Sequence, residues 1–160
     1  GSCPAMEVDE LFDAWERAWS GRDPRGFESV CAPRIHYEDP FTPEPLIGTC
    51  ALKQHARKLW EALPDARVNA TGARLSNPPF AAGPCRILGT HLGPLGRVHA
   101  TGKPVEVHAV VYAEIADGRL LRVRAFFDIY GAAMSLGVLP RHGTAGERAL
   151  LVLRGFGLRG

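Results

Sequence analysis

In the stretch Val105–Ile115 every odd position is apolar (Val105, Val107, Ala109, Val111, Ala113, Ile115), while the even ones include Glu106, His108, Tyr112 and Glu114. Residues two apart share a face only in a β-strand, so this run predicts a strand with one dry face and one mixed face. Asp117-Gly118 comes next, a pair that tight hairpin turns favour, and Leu120–Ile129 follows as the return strand. A lone hairpin is marginal in water, so its dry face must be covered by another part of the chain.

The cover lies upstream. Val8, Leu11, Phe12, Trp15 and Trp19 fall on one stripe of a helix over about Glu7–Ser20, which Gly21 ends. Asp23-Pro24 then opens a short second helix through Phe27 and Val30. Thr49 caps a third, in which Leu52, Ala56, Leu59 and Leu63 line one face until Pro64 stops it. Between the second and third helices, Ile35–Glu38 reads as a brief edge strand and Pro40–Gly48 as a proline-rich loop. Ala66–Leu75 and Cys85–Leu92 carry β-branched and apolar residues between turn signals and read as further strands. Helices first and antiparallel strands afterwards predict an α+β layer fold, with helices over one face of a single sheet.

A chain of 160 residues suits one domain. The expected division is a cloning remnant or disordered start over 1–5, the domain over 6–140, and an appended segment over 141–160. A net charge of +2 with scattered basic residues argues against a nucleic-acid partner. The longest apolar runs, such as Ala149–Leu153, are far too short to cross a membrane, and the start lacks a signal-peptide pattern, so a cytoplasmic protein is expected. Cys3, Cys31, Cys50 and Cys85 are too widely spaced for a zinc or redox motif and read as reduced thiols.

No Gly-rich phosphate loop, G-x-S-x-G elbow or H-E-x-x-H pair occurs, so the chemistry must reside in isolated ionisable residues. Asp128 interrupts Ala125-Phe126-Phe127 and Ile129-Tyr130, where an unpaired carboxylate is costly to bury; its bland alternative is an acid capping the turn at Gly131–Ser135. Asp39, in Tyr37-Glu38-Asp39-Pro40, is either a site acid or an Asp-Pro turn initiator. His91, in Gly89-Thr90-His91-Leu92-Gly93, is either a hydrogen-bonded core residue or a proton carrier. Trp15, Trp60 and Tyr112 read equally as pocket lining and as core packing.

A larger pattern joins these pieces. Tyr37-Glu38-Asp39-Pro40, Pro45, Gly48, Ala62-Leu63-Pro64-Asp65, Gly89-Thr90-His91-Leu92-Gly93, Ala100-Thr101-Gly102, Asp117-Gly118, Phe127-Asp128 and Leu136-Gly137-Val138-Leu139-Pro140 together resemble the SnoaL-like polyketide cyclases of the NTF2-like superfamily. That superfamily also holds ketosteroid isomerase and limonene epoxide hydrolase. The resemblance implies a cone, a strongly bent antiparallel sheet wrapped around three helices and enclosing an apolar pocket. It also implies a cyclase that closes a ring on a polyketide intermediate without metal or cofactor, by aldol-type acid/base chemistry or by shaping a polyene for cycloaddition. The catalytic positions it implies are Asp128 and, through its similarity to the isomerase, Asp39; His91 is the further candidate, polarising a carbonyl if the pocket acts mainly by shape. Trp15, Tyr37, Trp60, Val111, Tyr112, Phe126 and Phe127 would then bind a hydrophobic polyketide, and the mixed sheet face would pair two copies as a homodimer.

The oxyanion-hole tyrosine of the isomerase falls near Trp15 and its protonated acid near Val111, neither able to replace the original donor, so steroid isomerisation ranks below cyclisation. The Arg-Asp pair of the epoxide hydrolase has no counterpart around Gly89–Leu92, and a non-catalytic binding module remains the rival from another class. The last strand sets a geometric condition. If Val123, Ala125 and Phe127 face the pocket, Asp128 faces away unless a bulge or the strand end turns it inward.

Overall fold

The hairpin that the alternation predicts lies at the centre of the sheet. In the computed structural model, which describes residues 5–141 and 143–153, β6 (Pro104–Ala116) and β7 (Arg119–Phe127) pair antiparallel from Ala109↔Phe127 to Ala116↔Arg119. Asp117 and Gly118 both take positive φ, 52° and 70°, the backbone that a two-residue turn between right-twisted strands requires. The odd residues of β6 are the buried ones: Val105, Ala109, Val111 and Ala113 face the core.

The other strands are β1 (Cys31–Glu38), β2 (Leu46–Ile47), β3 (Arg67–Ala70), β4 (Leu75–Asn77) and β5 (Phe80–Thr90). The sheet order is β2-β1-β7-β6-β5-β3, with β4 also pairing β5. Every pairing is antiparallel except β1 with β7, which is parallel, so the sheet is mixed where an antiparallel one was expected. Among the described residues four α-helices accompany it: α1 (Ala5–Gly21), α2 (Thr49–Ala62), α3 (Ile129–Ser135) and α4 (Ala145–Leu153). The class is α+β.

Several boundaries differ from the sequence expectation for local reasons. β1 is longer than Ile35–Glu38 and is no edge, since β2 and β7 flank it. Pro33 is tolerated because it falls within the register shift between Cys31 and His36, where the ladder is interrupted. The second helix is a 3-10 turn over Pro24–Phe27, capped by the Asp23 carboxylate on the Arg25 amide. Gly48, not Thr49, is the N-cap of α2. The Ala66–Leu75 run splits into β3 and β4, while β5 begins at Phe80, well before Cys85. The last strand stops at Phe127. The 141–160 segment carries α4; residues 1–4, 142 and 154–160 lie outside the described residues.

Aromatic residues join the helices to the sheet. Trp15 and Trp19 of α1 meet edge to face at 5.6 Å, and each packs on Phe27 and Tyr37. Trp60 of α2 donates its indole N–H to the Trp19 carbonyl at 2.7 Å, closing the last turn of α1. The Ser20 hydroxyl accepts from the Val68 amide at 2.9 Å and holds that end of α1 against β3. Helices and sheet leave a hollow between them.

Candidate functional site

The hollow is a cavity of about 330 Å³, at the small end of the range for ligand pockets. Its wall is drawn from nearly every element: Trp15 of α1, Val68 of β3, Ile87 of β5, Val111 of β6, Phe127 of β7 and Leu136 just past α3. These positions follow from parity, because the inward residues of β6 and β7 are the dry set seen in the sequence. Phe41, in the loop after β1, meets Phe127 at a ring distance of 5.9 Å, and both border the cavity.

One acid sits in this apolar wall. Asp39 directly follows β1, and its side chain is 3 % exposed. Oδ2 accepts from the Tyr37 hydroxyl at 2.7 Å and lies 2.7 Å from His55 Nε2, while Oδ1 accepts from the Phe41 amide at 2.7 Å. Burial pushes the Asp39 carboxyl up, but the hydrogen bonds from His55, Tyr37 and Phe41 outweigh it and hold the group below its ordinary value of 3.8. Tyr37 moves the other way: its complete burial, then the neighbouring carboxylate, push the phenol well above 10. Asp39 is therefore the anion of the cluster and Tyr37 a neutral donor.

That assignment fixes the histidine. An anionic acceptor at Nε2 requires the ring hydrogen there, so in neutral His55 the Nδ1 lone pair is free, and Nδ1 makes no hydrogen bond among the described residues. His55 is stacked obliquely on Tyr37 at 5.6 Å, meets Trp19 edge-on, and borders the cavity. A carboxylate orienting an imidazole that borders a cavity is an arrangement suited to moving a proton. His55 was not foreseen from the sequence. Its signal was there: it lies three residues after Leu52 and four before Leu59, on the apolar stripe of α2.

His91 also borders the cavity and is wholly buried. The Thr101 amide donates to its Nδ1 at 3.2 Å, and the Thr101 hydroxyl lies 3.0 Å from the same nitrogen. With Nδ1 accepting, neutral His91 carries its hydrogen on Nε2, which has no partner among the described residues.

The remaining expected site residues divide. Trp15, Tyr37, Val111 and Phe127 line the cavity. Trp60 does not; it is core, with its indole N–H spent on α1. Tyr112 and Phe126 stand on the outer face of the sheet, where even parity on β6 and its pairing partner β7 places them; Tyr112 stacks on Phe80 at 5.8 Å, and the Arg124 guanidinium lies over Phe126. Asp128 is exposed, lies outside the cavity wall, and caps α3 by accepting from the Gly131 amide at 2.9 Å. The strand ends at Phe127 without a bulge that would turn Asp128 inward. The structure thus brings Asp39, Tyr37 and His55 together, has His91 border the same cavity, and sets Asp128 apart. Among the described residues no three His, Cys, Asp or Glu side chains gather as a metal-ligand set, and no helix is long and apolar enough to cross a membrane.

A mixed sheet with helices over a hollow that holds a buried acid and an imidazole is an α+β fold with a candidate small-molecule site. A family profile described as SnoaL-like polyketide cyclase matches residues 9–136, and the chain belongs to that family. Among solved structures it is similar to TsrD from Streptomyces laurentii, at 21% identity and TM-score 0.74, covering 84% of this chain and 97% of that one. It is similar to a protein assigned as a SnoaL-like polyketide cyclase from Jannaschia sp. CCS1, at 17% identity and TM-score 0.75, covering 88% and 99%. IdmH from Streptomyces antibioticus, assigned as a polyketide cyclase, is similar at 18% identity and TM-score 0.70, covering 81% and 97%. No curated protein matches the chain.

Proposed function

We propose that this protein is a cofactor-independent cyclase of polyketide natural-product biosynthesis, closing a ring by aldol-type chemistry in the cavity. The observation that carries the reading is the Tyr37–Asp39–His55 chain set in an apolar wall. His55 Nδ1 takes a proton from a carbon flanked by carbonyls, and Asp39 steadies the imidazolium that forms. The resulting enolate attacks a second carbonyl of the same chain, making the carbon–carbon bond. The alkoxide then recovers the proton from His55, so nothing is consumed. Positioned proton transfer supplies about 10²–10⁴-fold, and folding one flexible chain against itself in a close cavity adds an effective-molarity term. His91 lines the same cavity, and its buried Nε2–H, without a partner among the described residues, is a donor suited to a carbonyl oxygen that reaches it.

The test is ring closure on a panel of linear and partly cyclised polyketide esters, followed by mass spectrometry, with Asp39→Asn, His55→Phe and Asp128→Asn compared. The expected result is a loss of at least about a hundredfold for the first two. Unaltered closure in both would favour a cavity that acts by shape alone, as in a polyene cycloaddition. A loss of more than about tenfold in Asp128→Asn would return the acid/base role to that residue.

The outer sheet face supports a homodimer. Val110 and Phe126 are paired neighbours there, beside the Tyr112–Phe80 stack, and all are well exposed. Arg86, Glu106, Glu114 and Arg122 ring them with both signs of charge, which suits a self-complementary contact. Sedimentation of the wild type against Val110→Lys tests it, with conversion to monomer expected.

A further inference from the structure

Lys58 stands apart from the other charged groups of the cavity. It follows His55 by one helical turn on α2, borders the cavity, is solvent-exposed, and makes no ion pair or hydrogen bond among the described residues. Glu61, one turn further along, does not bridge to it. The other polar residues of the wall each have a partner, Asp39 in Tyr37, His55 and Phe41 and His91 Nδ1 in Thr101, which among the described residues leaves open only the neutral ring nitrogens His55 Nδ1 and His91 Nε2. Several basic side chains away from the cavity hold acids: Arg74 binds Asp9, Asp13 and Glu16, Lys53 binds Glu28, and Arg124 binds Glu38.

The excess of positive charge continues around the mouth. Residues 91–103, which join β5 to β6, contain Arg97, His99 and Lys103 and no Asp or Glu. Their path is fixed at the mouth: the Leu92 and Gly93 amides both donate to the Ala62 carbonyl at the end of α2, and Pro94, Leu95 and Gly96 border the cavity. Lys103 Nζ lies over Gly137, so close that a Cβ there would come within 2.6 Å, next to Leu136 of the wall. An apolar hollow whose exposed border carries the unpaired Lys58, with Lys103 Nζ beside Gly137, matches a ligand that is apolar along its length and negative at one end.

We propose that the cavity takes such an amphipathic ligand and that Lys58 seats its oxyanion, a carboxylate or a phosphate, at the mouth. The apolar body then runs inward past Trp15 and Trp19, and the anion sits about one helical turn, roughly 5 Å, from His55. The identity of the reaction rests on the cyclase reading, but the seat is a property of binding and is tested without turnover. A carboxylate would come from a free polyketide acid, a phosphate from the prosthetic arm of a carrier-bound chain.

The experiment uses the quenching of the fluorescence of Trp15 and Trp19, which line the cavity, by paired probes. One pair is 4-(2-naphthyl)butanoate and its methyl ester; the other is a naphthylacetyl pantetheine thioester with and without its 4′-phosphate. At low salt the charged member of at least one pair should bind about three- to tenfold more tightly, the range between an exposed and a partly desolvated ion pair. Lys58→Met should bring the members of that pair within about twofold of each other while leaving the neutral member's affinity unaltered, and high salt should do the same to the wild type. A preference in the first pair alone assigns the seat to a free acid, and one confined to the second assigns it to a carrier arm. Equal binding within both pairs, or a charge preference that survives Lys58→Met, overturns the proposal. Charge preference retained without ring closure would sink the cyclase reading and leave the seat standing.

Discussion

Replacing Asp39 by Asn removes one charge and almost no volume, so its effect can be worked out bond by bond. Oδ2 accepts two hydrogen bonds, from Tyr37 and from His55, and Oδ1 accepts one, from the Phe41 amide. The asparagine oxygen does best where two donors converge, which leaves its NH₂ facing the Phe41 N–H. The two retained bonds fall from charge-assisted to neutral, about 1 kcal/mol each, and the opposed N–H groups add about 1 kcal/mol, giving about 3 kcal/mol in all. That is a large fraction of the 5–15 kcal/mol typical of a domain, yet it should leave the variant folded. The pH dependence supplies a second check. Because the folded-state carboxyl is held below 3.8, its stabilisation is complete above that value and is lost as pH falls through the lower folded value. Asn does not titrate, so the gap between the two proteins should be widest near neutrality and narrow progressively below about pH 4. Urea unfolding at pH 7 and at pH 3 measures both quantities. A gap under about 0.5 kcal/mol at pH 7, or one equal at the two pH values, would refute the assignment of Asp39 as a buried, hydrogen-bonded anion.

Three further outcomes are expected. Asp128→Ala should lower stability by about 1 kcal/mol in urea unfolding, because it removes the side-chain cap on the Gly131 amide of α3. Gly93→Ala should be among the most damaging small substitutions, since its Cβ would meet the Glu61 carbonyl oxygen at 2.0 Å; a lowered Tm and faster amide exchange across Leu92–Gly96 would report it. Burial pushes the Cys31 and Cys85 thiols up to about 12, whereas Cys50 is exposed, so a thiol reagent at pH 8 should label Cys50 quickly and the other two only after denaturation.

Periodicity made α1, α2 and the β6–β7 hairpin legible, because each buries a single regular stripe and the period is decided locally. Parity along β7 likewise contained the placement of Asp128, since the residue after Phe127 faces away unless the chain bends. The pairing of β1 was hidden. A strand interrupted at Pro33 reads as an edge, and only the β2 segment after Pro45 covers its far side. The Asp39–His55 contact spans 16 residues, a loop and a helix start, so no local pattern announces it. A lone polar residue on an apolar stripe, His55, was the available signal, and it carries weight only once a hollow is known to lie beneath it.

The parallel pairing of β1 and β7 places the ends of two strands at one rim of the sheet. Glu38 is level with Arg124, so Asp39 stands level with Ala125, and Asp128 follows three residues later, about 10 Å further along at the rise of a strand. Acids near the ends of neighbouring strands thus lie on different sides of the wall: Asp39 borders the cavity and holds a histidine, whereas Asp128 lies outside it and starts a helix. A proton-handling group can therefore pass from one strand to its neighbour, without altering the fold, only at a position whose side chain faces the cavity. Ala125, which faces the cavity level with Asp39, is where such an exchange would be built.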